Sequence, residues 1–124
     1  MSFKMREKKL WSMDELVALT DEVQIDEVVF RGKIVEFQYC ELTEMEEPKI
    51  PAMGDDLSED DKMGMYQELG SKRVLKMIEK ANEKNPDGPI ISEEQWALIP
   101  TTLRYSISNK ILGAEETAQA NFPN

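Results

Sequence analysis

The architecture turns on residues 28–40, VVFRGKIVEFQYC. Two runs of β-branched and aromatic residues flank a single glycine, which is the pattern of a two-stranded hairpin. A turn centred on Gly32-Lys33 suits type II′, with glycine supplying the positive φ. It sets Phe30 opposite Val35 and Val28 opposite Phe37. The competing turn, Arg31-Gly32, sets Glu27 opposite Glu36, and like charges facing each other across a pair of strands are unfavourable. The Gly32-Lys33 turn is therefore expected. In both registers Val28, Phe30, Val35, Phe37 and Tyr39 share one face. Glu27, Val29, Arg31, Ile34, Glu36, Gln38 and Cys40 make up the other, mixed face. A lone hairpin is marginal in water, so its apolar face is expected to cover the chain's own helices. Its outer edge stays open to another strand unless protected.

The helices on either side announce themselves by their caps. Before the hairpin, WSMDEL places Ser12 as an N-cap with Glu15 completing a capping box. Trp11 and Leu16 stand where a hydrophobic staple would join them. A short helix is expected over Met13 to Thr20, offering Leu16, Val17 and Leu19 to the core. After the hairpin, Thr43 to Glu47 allows one helical turn, which Pro48 stops. Pro48, Pro51 and Gly54 mark a loop. Ser58 then caps the strongest helical pattern, residues 59–84, with Tyr66, Leu69, Val74, Met77, Ile78 and Ala81 on one stripe. Lys72, Lys76, Lys80 and Lys84 line the opposite side, expected to be a solvated face. Gly70 interrupts the pattern, so a kink or a junction of two helices is expected at Gly70-Ser71. NPDGP is a turn. Ser92 and Gln95 form a second capping box, with Ile91 and Trp96 as its staple. Pro100 interrupts this helical stretch, residues 93–112, and Gly113 is its natural stop after Leu103, Ile107 and Ile111.

The expected fold is α+β: mostly helical, with one antiparallel β-hairpin packed on three to four helices. Residues 1–10 read as a flexible basic arm, 11–113 as a single domain, and 114–124 as a loose tail. Within the domain the hairpin spans about 25–41 and an acidic loop spans 43–58. At 124 residues the chain is one domain's worth, long enough for a core without disulfides or metal.

Composition narrows the chemistry. The chain contains no histidine, which removes Ser-His-Asp and Cys-His pairs, histidine metal sites and the best proton-transfer group near neutral pH. Its one cysteine, Cys40, has no basic neighbour in sequence and reads as a structural thiol. That single cysteine, together with a start that lacks an apolar signal segment and the absence of any apolar run near the ~18 residues of a membrane span, points to a cytoplasmic protein. The net charge of −10 is uneven: residues 1–10 carry +3, residues 11–62 carry −12 and residues 63–124 carry −1. Such a middle repels nucleic-acid backbones and favours basic partners or plain solubility.

The candidate chemical motifs each have a plainer reading. DDLSEDD, residues 55–61, fails as a calcium loop, because Asp61 stands at the tight-turn glycine and Gln67 at the bidentate glutamate. It suits the N-terminus of a helix instead. Glu44, Glu46 and Glu47 sit in a proline-bounded turn, where a raised pKa for acid–base work is not expected. There is no phosphate-cradling glycine loop. Met63, Met65 and Met77 on the long helix, with Met45 and Met53 in loops, suit either core filling or an adaptable apolar surface. No enzyme activity, cofactor or metal is therefore expected.

The strand–GK–strand unit VVFRGKIVEFQYCELTE, the acidic linker, the helix after it and the terminal block ISEEQWALIPTTLRYSISNKILG follow one another in an order that resembles the small tail assembly chaperones of long-tailed bacteriophages. The resemblance covers about two thirds of the chain. It implies a non-catalytic protein of the infected host's cytoplasm that coats a helical tape-measure protein until tail-tube subunits assemble around it. It also implies a short form of a product that some members extend by frameshifting. The partners expected are the tape-measure client, the tail-tube protein and further copies of this chain, with no direct nucleic-acid or membrane contact. The residues chosen for partner binding are Val28, Phe30, Phe37, Tyr39 and Trp96 for apolar contact, and Asp55, Asp56, Asp60 and Asp61 for charge. An acidic inhibitor that mimics nucleic-acid charge and a structural component of a virion are the alternatives.

Overall fold

The computed structural model describes residues 10–49 and 56–120, with side chains described through Gly113. Helix α1, Met13–Ala18, runs into a 3-10 turn at Leu19–Asp21. Strands β1, Gln24–Phe30, and β2, Lys33–Tyr39, form a two-stranded antiparallel sheet. The long helix α2 spans Glu59–Lys84, followed by α3, Glu93–Leu98, and α4, Thr101–Ala120. The class is α+β, as the sequence implies, with the hairpin laid on the helices.

The hairpin turns at Arg31-Gly32, not at Gly32-Lys33. Val28 faces Val35, Phe30 faces Lys33 and Glu27 faces Glu36. Arg31 has φ of 51° and Gly32 of 81°, which is the positive-φ pair of a type I′ turn. That turn matches the right-handed twist of the strands, and the gain outweighs a Glu–Glu pair that lies in solvent. The inner-face residues are the same in either register, so burial has no vote; turn geometry decides.

The core joins Phe37 and Tyr39 of β2, Val74, Met77 and Ile78 of α2, Ile91 and Trp96, and Leu103, Ile107 and Ile111 of α4. Val28, Phe30 and Val35 pack half-buried against it. The end of β2 is buried on both faces, because Gln38 and Cys40 are also fully enclosed. The N–H of Cys40, just beyond β2, donates to the Met77 carbonyl at 3.0 Å and ties the end of the strand to α2. Gln38 Nε2 donates to Asn85 O at 3.0 Å and to Asn82 Oδ1 at 3.3 Å, while its Oε1 accepts from Asn85 Nδ2 at 3.0 Å. Asn82 Nδ2 in turn donates to Ile91 O at 2.9 Å. A buried amide thereby ties the strand to the end of α2 and to the turn beyond it.

Several local expectations change. Helix α2 runs unbroken through Gly70, whose φ is not positive and which Glu68 and Lys72 bracket with an i,i+4 ion pair at 3.6 Å. Helix α4 continues past Gly113 to Ala120, because that glycine keeps a helical backbone and AEETAQA supplies good helix formers. The segment read as a loose tail is thus helical as far as Ala120. Both capping boxes form, with Ser12 Oγ accepting from Glu15 N and Ser92 Oγ from Gln95 N at 3.1 Å each. Ile91 and Trp96 lie in the core together, but Trp11 and Leu16 are exposed and α1 buries none of its residues. Residues 1–9 of the basic arm, the loop positions 50–55 and the tail positions 121–124 lie outside the described residues.

Beyond Lys72, which stays exposed and pairs with Glu68 on its own helix, the lysine stripe is not a solvated face. Lys80 Nζ reaches Glu46 Oε1 at 2.7 Å and Glu41 O at 3.0 Å, Lys76 Nζ reaches Glu46 O at 2.8 Å, and Lys84 pairs with Asp21 at 3.0 Å. Arg73 Nε engages both oxygens of Glu47, at 2.7 and 2.9 Å. Together they clamp the Thr43–Glu47 turn and the end of the first helix onto α2. The partners of Lys76, Lys80 and Lys84 lie on segments outside α2, which helical periodicity does not reveal.

Candidate interaction site

Of the residues chosen from sequence for apolar contact with a partner, the structure withdraws most. Phe37 is 0% exposed, Tyr39 7% and Trp96 3%, so all three serve the core. Val28 and Phe30 are half-buried against the same core. The hairpin's apolar face is thus a lid on the helices. Asp56, Asp60 and Asp61 are exposed, while Asp55 lies outside the described residues. Ser58 Oγ accepts from Asp61 N at 3.0 Å, and Glu59, Asp60 and Asp61 fill the first turn of α2, where carboxylates complement the helix dipole. Among the described residues no cluster of acids, cysteine or histidine has the geometry to hold a metal ion. Burial, the largest influence, pushes the Cys40 thiol pKa up, as expected for a structural cysteine.

The free apolar surface is on the hairpin's other face. Val29 is 72% exposed and pairs with Ile34 at 61%, next to the turn. Ile25 is 56% exposed nearer the base, with Glu27 and Glu36 facing each other between them. Arg31 stacks its guanidinium over the Phe30 ring, with 5.2 Å to the ring centre. Each strand has one partner only, so among the described residues both outer edges of the sheet are unpaired. Leu10, Trp11, Met13 and Val17 around α1 are also exposed, as are Met45 and Met63. From sequence the outer hairpin face is mixed, and Val29 and Ile34 do not stand out on it. Their outward parity opposite Phe30 and Val35 was the available signal.

A second feature lies between α2 and α4. A cleft of about 600 Å³ is lined by Gly64, Gly70, Val74, Trp96, Arg104 and Leu112, among others. The Arg104 guanidinium lies over the Trp96 ring, 5.9 Å from its centre. Trp96 Nε1 and Arg104 Nε are both buried and have no acceptor among the described residues. Arg73, on the α2 wall, is held by Glu47. A buried donor without an acceptor costs about 1–3 kcal/mol, so two in one place mark a locally unfavourable arrangement.

No protein-family model matches the chain, and no curated protein or solved structure is significantly similar to it.

Proposed function

We propose that this chain is a non-enzymatic tail assembly chaperone that keeps a helical tape-measure protein soluble during phage tail assembly. The observation that carries the reading is the outer hairpin face, where Ile25, Val29 and Ile34 present apolar side chains to solvent around two acids. A client helix rich in exposed apolar residues needs a partner with apolar contact area and a charge that keeps the complex in solution. The net charge of −10 supplies the second requirement. The unpaired strand edges give a route to homo-oligomers, and tail-tube subunits would then displace the chaperone from its client. Among the described residues no helix is long and apolar enough to cross a membrane.

Coexpression with a tape-measure segment tests the reading. The client is expected in the soluble fraction and in a stable complex with this chain. A client left insoluble beside abundant, folded chaperone overturns it.

A further inference from the structure

From the cleft between α2 and α4 we infer a binding site for a small molecule with a carboxylate head and an apolar body. The site is independent of the hairpin face and of the chaperone reading. Its volume of about 600 Å³ falls among those of small-molecule sites. Apolar wall comes from Val74, Trp96 and Leu112. Arg104 supplies the head-group partner: it forms no ion pair among the described residues, and its Nε lacks an acceptor. Beside it, Trp96 is only 3% exposed, and its indole N–H also lacks an acceptor among the described residues. Two neighbouring N–H donors, one of them cationic, suit a carboxylate, which accepts through two oxygens. Hydroxyl or amide heads would leave the guanidinium charge unmatched. Among the described residues the one acid on the wall, Glu68, is engaged by Lys72 at 3.6 Å. Gly64 and Gly70 keep the α2 side of the cleft open, since a side-chain carbon at either position would meet nothing within 4 Å.

The two donors are their own reporters. Uniformly 15N-labelled full-length protein is titrated with 4-phenylbutyrate and, separately, with its uncharged amide. Binding is expected to move the Trp96 Nε1–H and Arg104 Nε–H resonances saturably downfield while the exposed indole of Trp11 stays in place. The amide is expected to bind at least about tenfold more weakly, equivalent to one charge-assisted hydrogen bond. Arg104→Gln is expected to lose the response. Gly70→Leu, a helix-compatible change that fills the cleft, is expected to lose it with the rest of the spectrum preserved. Absence of a saturable shift at Trp96 and Arg104, equal binding of the amide, or wild-type affinity in folded Gly70→Leu overturns the inference.

Discussion

Gln38 shows how a single polar side chain can hold a fold together. It is fully enclosed, and its amide exchanges hydrogen bonds with Asn82 and Asn85 at the end of α2. Gln38→Leu keeps the volume but strands those partners, and is expected to cost about 2–3 kcal/mol in urea denaturation. Gly88 abuts the same amide: a methyl group there collides with Gln38 Oε1 and Asn85 Nδ2. Gly88→Ala is expected to destabilise by about 1–3 kcal/mol through overpacking. Glu46 has a different signature. The hydrogen bond from Lys80, followed by that from the Thr43 backbone, lowers its pKa from 4.5 to about 2. A depressed carboxylate contributes stability that is present above its ordinary pKa. That contribution is lost as pH falls from 4.5 through about 2. Glu79, raised chiefly by burial, acts in the opposite sense, so the comparison of wild type with Glu46→Gln isolates the Glu46 contribution. Melting temperatures measured across that window are expected to fall less steeply in Glu46→Gln.

At the scale of elements, the hairpin register is set by its turn. Type I′ geometry places Arg31 at a φ of 51°, a conformation that asparagine tolerates better than arginine. The same register forces Glu27 against Glu36. Glu27→Lys replaces repulsion with a cross-strand ion pair and is expected to raise stability by about 0.2–1 kcal/mol, readable from the denaturation midpoint. What the sequence reveals and what it hides divides along physical lines. The capping boxes at Ser12 and Ser92 are legible because cap chemistry is local to four residues. The break at Pro100 is legible for the same reason, and Ile99 before it is extended. The turn is not legible from burial, since both registers bury the same face. Continuity through Gly70 and Gly113 depends on the backbone a glycine adopts, which its identity leaves open. The lysine stripe's partners depend on where a separate segment docks, and periodicity within α2 carries no trace of that.

Taken as a whole, the molecule puts its strongest apolar residues in the core and keeps its exposed apolar surface elsewhere. Phe37, Tyr39 and Trp96 were the natural choices for partner contact because they are large and apolar, and the same properties bury them. Ile25, Val29 and Ile34 stay outside because the helices cover this face of the sheet only at its far end, at Gln38 and Cys40. Glu46 and Glu47 are already met by Lys80 and Arg73, which leaves the exposed acids at the start of α2 and on the outer hairpin face as the negative surface near the hairpin and α2. Val29→Lys combined with Ile34→Lys touches none of the core and is expected to preserve the fold by circular dichroism and melting temperature. The most direct measurement is the dissociation constant of a tape-measure segment for wild type and for this double variant. Saturable binding to wild type, weakened at least about tenfold by the two lysines, is the expected result, since it corresponds to losing only one or two buried apolar contacts. Equal affinity in the two proteins, or no binding to wild type, would contradict the claim that the outer hairpin face holds the client.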